Sequence, residues 1–79
     1  MKKGKVYMDG KMFKYVRLYK KMTQIEFAGY LRVSPATVGR IETGSLKVTP
    51  KVKVKLISNF EFDKEFFCFV KRYERLGQV

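Results

Sequence analysis

The side chains able to do chemistry in this 79-residue chain are mostly cations. It has 18 Lys and Arg against 7 Asp and Glu, no His and a single cysteine, Cys68. A zinc site or a Cys–His nucleophile therefore cannot be assembled, and no paired carboxylates or phosphate-cradling glycine loop stand out. We expect no enzyme activity, no cofactor and no bound metal. The chemistry that remains is the binding of anions.

The positive charge is unevenly distributed along the chain. Residues 1–58 hold 14 of the basic and 3 of the acidic side chains, whereas residues 59–79 hold 4 of each. A net charge of +11 placed in this way favours a polyanion as partner, with nucleic acid ahead of an anionic membrane surface. The longest apolar run, Phe66 to Val70, is far shorter than the ~20 residues of a spanning helix. We therefore predict a cytoplasmic protein with no membrane partner.

Helix start and stop signals predict about five helices in a single domain over residues 1–79. These helices run from Asp9 to about Lys20, Thr23 to Arg32, Ser34 to Gly44, Thr49 to Phe60 and Asp63 to Leu76, each opening on a capping residue. Two segments allow another interpretation. Residues 6–13 resemble a hairpin with an Asp-Gly turn, and the alternation over residues 51–56 is typical of a strand. We predict helices at both places, preceded by a basic arm over residues 1–8.

The last predicted helix is apolar on nearly all sides. Phe66, Val70 and Tyr73 mark its inner face, and Phe67 and Phe69 widen the apolar surface. A surface helix shows one apolar stripe, so a second apolar face predicts packing against a partner helix. Cys68 is expected to pack there as a small hydrophobe.

Three segments form a pattern whose order and spacing are more specific than any one segment alone. They are Phe13–Arg17, Met22–Ala28 and Val33–Gly44, and a weaker match continues over Pro50–Phe60. The run Thr-Gln-x-Glu-Phe-Ala joined to Val-Ser-x-x-Thr-Val-x-Arg-Ile-Glu-x-Gly resembles the Cro/repressor-type, or Xre-like, helix-turn-helix DNA-binding domains over about residues 10–60. The resemblance implies an all-α, lambda-repressor-like bundle of about five helices with a central helix-turn-helix. It also implies a transcriptional regulator of the phage or mobile-element repressor type, bound to double-stranded DNA as a homodimer at an inverted-repeat operator.

The resemblance also implies roles for individual residues. The third helix would enter the major groove, and its predicted base-reading residues are Arg40, Thr37, Ala36, Pro35 and Ser34. Of these, Arg40 alone can make a bidentate contact to guanine, worth about 1–3 kcal/mol of discrimination. The predicted phosphate contacts are Gln24, Thr23, Thr43, Ser45, Lys47 and Arg32. Gln24 stands at a helix N-terminus, where free amides favour an anion.

Other positions are assigned structural roles by the same likeness. Arg17 and Glu42 match a pair that often forms a buried salt bridge, and the dimer interface is predicted at Phe66, Phe67, Phe69, Val70 and Tyr73. Arg32 and Lys21 stand where the family usually has Gly, and Gly39 leaves the recognition surface bare.

Two other functions remain open from the sequence. One is an antitoxin-like interaction module, whose C-terminal apolar helix contacts a protein partner. The other is an architectural or excision protein that binds DNA with low specificity. In each case we expect a bacterial or phage-infected cell and association with the nucleoid.

Overall fold

The structure is a computed structural model that describes residues 8–77. It contains five helices: α1 (Gly10–Tyr19), α2 (Gln24–Leu31), α3 (Pro35–Thr43), α4 (Pro50–Asn59) and α5 (Lys64–Arg75). The described residues contain no strand, so the prediction of an all-α bundle is confirmed. None of these helices is long and apolar enough to cross a membrane. The predicted basic arm lies outside the described residues, except for Met8.

Every helix begins at the capping residue that the sequence predicts. The side chains of Asp9, Thr23, Ser34, Thr49 and Asp63 each accept a hydrogen bond from a backbone N–H three residues on. Such caps satisfy donors that the first turn leaves without an intrahelical partner. Because residues 10–13 and 51–56 are helical, the hairpin and strand interpretations of these segments are wrong. In α4 the cap and Pro50 outweigh the alternating pattern, since Val52 and Leu56 are both buried one turn apart.

The core is formed by apolar side chains from all five helices. Its fully buried members include Phe13, Val16, Phe27, Leu31, Val38, Ile41, Leu56 and Phe66. Tyr19 ties α1 to the C-terminal region, because its ring makes edge contacts with Phe60, Phe66 and Phe69 at centroid distances of 5.1–6.0 Å. α3 packs on α1 and α2, and α5 packs on α1. α1 therefore supports the helix-turn-helix of α2 and α3 through its packing on α3.

The predicted dimer interface on α5 needs correction. Phe66 and Val70 are buried in the core of the protomer itself, so they offer no surface to a second copy. Phe69 and Tyr73 are half-buried against that core, and only Phe67 remains exposed, at 37%. The helix is thus apolar on one side and not on nearly all sides. Cys68, expected among packed hydrophobes, is exposed.

Candidate nucleic-acid interface

The turn between α2 and α3 holds a non-glycine residue in left-handed backbone. Arg32 ends α2 with φ 60° and ψ 48°, and Lys21 in the preceding loop has φ 58°. These are the two positions where the family usually has Gly, because left-handed backbone costs other residues conformational energy. The Arg32 carbonyl accepts a hydrogen bond from Lys55 Nζ at 3.2 Å, which ties this turn to α4. The exposed Arg32 side chain remains available to an anion.

The outer side of α3 forms a ridge of small side chains around one cation. Ala36, Arg40 and Thr43 fall within an arc of roughly 60° at ~100° per residue, and all three are exposed. Val38 and Ile41 on the inner side are fully buried and fix the rotation of the helix. The Arg40 guanidinium makes no hydrogen bond or ion pair within residues 8–77. Its five donors are therefore free to bind another molecule.

The start of α3 uses its own hydroxyl groups. Ser34 Oγ accepts the Thr37 N–H at 3.2 Å and lies 2.9 Å from Thr37 Oγ1. One of these two hydroxyls donates to the other, so the pair offers only one O–H donor to another molecule. The exposed side chains of Pro35 and Ala36 offer only apolar contacts. The first turn of α3 is therefore suited to a methyl group more than to a polar base edge.

The start of α2 leaves two backbone donors available. Thr23 and Glu26 form a reciprocal capping box, with hydrogen bonds of 2.9 and 3.1 Å. Among the described residues, the backbone N–H groups of Gln24 and Ile25 have no partner. They lie at the positive end of the helix dipole, where an anion such as phosphate is stabilised. Both of these residues are exposed.

A hydrogen-bonded network joins α1, α2 and α3 at this end of the molecule. Arg17 Nε and Nη2 donate to Glu42 Oε2 and Oε1 at 2.7 and 2.9 Å, and Arg17 Nη1 donates to the Met22 carbonyl at 3.0 Å. Gln24 Nε2 donates to Glu42 Oε1 at 3.0 Å. Glu42 therefore orients the amide of Gln24 as well as neutralising Arg17. This second role is not visible in the sequence, because it depends on how α2 crosses α3.

The end of α3 and the loop after it carry three of the predicted phosphate contacts. Gly44 ends the helix in left-handed backbone, at φ 90°. Thr43 Oγ1 donates to the Arg40 carbonyl at 3.2 Å and lies 3.2 Å from Ser45 Oγ. Ser45 and Lys47 are both exposed. Hydroxyl and ammonium groups such as these can bind phosphate.

Two features of the described residues were missed in the sequence. The outer side of α5 carries Lys64, Lys71, Arg72 and Arg75, and a helical projection would have found them where a charge count did not. The Tyr15 hydroxyl is buried, with no partner in hydrogen-bonding geometry among residues 8–77. Burial, followed by the charge of Glu74, raises the pKa of Tyr15. These residues contain no cluster of side chains suited to a metal ion.

Comparison with known families decides the assignment. A family model described as helix-turn-helix matches residues 13–65, from within α1 to the first turn of α5. The chain belongs to the Cro/C1-type helix-turn-helix family. This confirms the Xre-like resemblance, and it makes the protein a DNA-binding regulator of the Cro/C1 type. No curated protein and no solved structure gives a significant match.

Proposed function

We propose that the protein is a sequence-specific transcriptional regulator of the phage or mobile-element repressor type. It binds an inverted-repeat operator as a homodimer, in the nucleoid of a bacterial or phage-infected cell. The observation that carries the proposal is the exposed ridge of α3, where Arg40 has no partner among the described residues. A helix with one unpaired guanidinium and small neighbours can enter the major groove.

In this proposal, α3 reads bases while α2 and the loop after α3 bind the backbone. Arg40 forms a bidentate contact to guanine, and Ala36 contacts a thymine methyl. Gln24, oriented by Glu42, and the backbone N–H groups beside it hold one phosphate. Thr43, Ser45, Lys47, Thr23 and Arg32 supply the other proposed phosphate contacts. Contacts to phosphate fix the register without carrying sequence information.

The ridge gives the protein few ways to read bases. Gly39 has no side chain, and the hydroxyl of Thr37 is shared with Ser34. Discrimination therefore rests on Arg40, on the apolar contacts at the start of α3 and on DNA shape. We expect specificity at the lower end of the range for such regulators.

The surface for a second copy lies on α4 in this proposal. Val54 and Ile57 are 63% and 46% exposed, and with Ser58 and Pro50 they share an uncharged arc of about 100°. Exposed apolar side chains grouped in this way favour a protein contact. Sedimentation equilibrium should show a dimer for the wild type and a monomer for Ile57→Lys. The matched control is Leu76→Lys, at the exposed apolar residue that follows α5.

Selection from random duplex DNA tests the proposed function. The purified protein is incubated with a random pool at moderate salt, and the bound fraction is sequenced after several rounds. We expect an inverted repeat with half-sites about one helical turn apart. A bound pool that stays random would favour an architectural protein, and failure to bind would remove DNA as the partner.

A further inference from the structure

The outer side of α5 carries a group of four cations, which we call the α5 stripe. Its members are Lys64, Lys71, Arg72 and Arg75, and all of them are exposed. At ~100° per residue they fall within an arc of roughly 100°, together with the exposed Cys68. The acidic residues of this helix, Glu65 and Glu74, lie outside this arc. This arc of α5 is therefore positive, with the exposed Glu65 at its border, although residues 59–79 as a whole are neutral.

Intramolecular effects account for only part of this charge. Within residues 8–77 none of the four cations forms an ion pair, because the one salt bridge there joins Arg17 and Glu42. Arg72 and Arg75 complement the negative end of the helix dipole, but Lys64 is the first helical residue, where a positive charge is unfavourable. Like charges one turn apart, as at Lys71 and Arg75, also destabilise a helix.

The α5 stripe is separate from the ridge on α3. α5 packs on α1, whereas α3 packs on α1 and α2, and the two surfaces have no residue in common. Two shallow clefts of about 470 and 210 Å³ adjoin the stripe, and Cys68 and Arg72 line both of them. The larger cleft is also lined by Glu65, whereas Lys71 and Arg75 complete the smaller one. The smaller cleft, lined by three basic side chains, is the one that suits a phosphate group.

We propose that the α5 stripe binds the phosphate backbone of a second DNA duplex, without regard to sequence. The stripe runs for about 16 Å, and a duplex carries one negative charge per ~1.7 Å of its axis, so about ten phosphates lie along that length. The apolar side of α5, at Phe66 and Val70, is buried in the core. A membrane surface is therefore a poorer partner, since a helix bound there inserts its apolar side. One protein molecule can in this way hold two DNA segments together.

This inference rests on DNA binding through α3, and not on sequence specificity or on the dimer. The α5 stripe also makes a two-fold interface on this side of α5 unfavourable, because the cations of one copy would lie opposite those of the other. The two DNA surfaces can be separated by substitution, since no residue is shared between them.

A bridging assay tests the proposal directly. A duplex fixed to beads is incubated with protein, and capture of a second, fluorescent duplex is measured. The test variant is K64Q/K71Q/R72Q/R75Q, which keeps good helix formers at all four positions. The matched control, K64R/K71R/R72K/R75K, keeps the charges and exchanges the head groups. We expect capture to fall at least tenfold in the test variant and to stay near the wild-type level in the control.

Binding of the first duplex shows that the variant still recognises DNA. We expect its affinity for the bead-bound duplex to stay within about threefold of wild type, with an unchanged circular dichroism spectrum. In the wild type, raising salt from about 50 to 200 mM should weaken capture of the second duplex roughly a hundredfold if four phosphates are contacted. Amide resonances of α5 should shift only after those of α2 and α3 are saturated.

Three results would overturn the inference. Capture at the wild-type level by the test variant would place bridging in a dimer that uses two α3 surfaces. If the wild type binds anionic vesicles and the test variant does not, while both capture the second duplex equally, the stripe is a membrane contact. Equal loss in the charge-keeping control, with an unchanged circular dichroism spectrum, would show that the positive charges do not carry the second contact. A wild type that bridges but selects no sequence would contradict the proposed function and leave the α5 stripe intact.

Discussion

At the scale of single residues, Glu42 accepts hydrogen bonds from side chains on two other helices. Its side chain is 4% exposed and that of Arg17 is 14% exposed, so the pair is largely shielded from water. Removing one member leaves a charge that has lost both its solvent and its partner. Arg17→Met should lower the free energy of unfolding by about 3 kcal/mol, measured by urea denaturation.

Two comparison variants separate the buried charge from other effects of that substitution. Lys11→Met, at an exposed position on the same helix, should stay within about 0.5 kcal/mol of wild type. Arg17→Met combined with Glu42→Met should recover part of the loss, because no unpaired charge remains. A double variant less stable than the single one would contradict this explanation.

Arg32 combines a strained backbone with an exposed cation. Arg32→Gly relieves the left-handed conformation at φ 60° and should raise the free energy of unfolding by up to about 1 kcal/mol. If its side chain binds a phosphate, DNA affinity should fall several-fold, and the slope of log K against log salt should weaken by about 0.9. Both quantities come from urea denaturation and a salt titration of binding.

Lys21→Gly is the matched comparison, since Lys21 has φ 58° and is assigned no DNA contact. It should stabilise the protein to a similar extent with a smaller change in the salt slope. Equal slopes for the two variants would remove Arg32 from the interface.

The buried hydroxyl of Tyr15 links stability to alkaline pH. Burial and Glu74 raise its pKa in the folded protein, so the folded state holds this proton more tightly than the unfolded chain does. The stabilisation is therefore complete below about pH 10 and is lost as pH rises further. Tyr15→Phe should flatten the fall in unfolding free energy above about pH 10 without abolishing it, because burial also raises the pKa of Tyr19 and Tyr30. Urea denaturation from about pH 8 to about pH 11 measures this effect. The same slope of unfolding free energy against pH in Tyr15→Phe and wild type would contradict the prediction.

At the scale of elements, the close approach of α1 to α3 sets where the recognition helix lies. A Cβ at Gly10 would clash with the carbonyl oxygen of Ile41. Gly10→Ala should therefore cost about 1–3 kcal/mol, because either the backbone of α1 or that of α3 must move. Gly29→Ala is the control, since a Cβ there meets nothing within 4 Å. It should instead stabilise the protein by about 1 kcal/mol through α2. Thermal denaturation measures both variants, and a change in stability of the same sign for both would contradict the prediction.

The sequence predicts the helix boundaries well because caps are local. Asp9, Thr23 and Ser34 each bind a donor three residues away, so their spacing alone carries the information. The role of α5 was predicted less well, because a run such as 66–70 does not show which side packs. In the structure Phe66 and Val70 turn into the core and the four cations face out. Contacts between helices, such as that of Gln24 with Glu42, depend on packing angles and stay invisible in one sequence.

At the scale of the whole molecule, the net charge of +11 indicates a polyanion as partner but does not place it. The family match assigns DNA binding to the helix-turn-helix within residues 13–65. We propose that the ridge on α3 reads sequence and that the α5 stripe adds sequence-independent affinity. The same positive field should make association fast and strongly dependent on salt.

A specificity ratio tests whether α3 reads DNA sequence through Arg40. Equilibrium affinities for the selected operator and for a scrambled duplex should be measured at one salt concentration. We predict that the wild type binds the operator about a thousand times more tightly than the scrambled duplex. In Arg40→Ala this ratio should fall by about tenfold or more. The variant should also stop discriminating at one guanine of the operator and keep its preference at the other positions. Lys47→Ala should weaken both duplexes alike and leave the ratio unchanged. A wild-type ratio near one, or a ratio that Arg40→Ala leaves intact, would contradict the account.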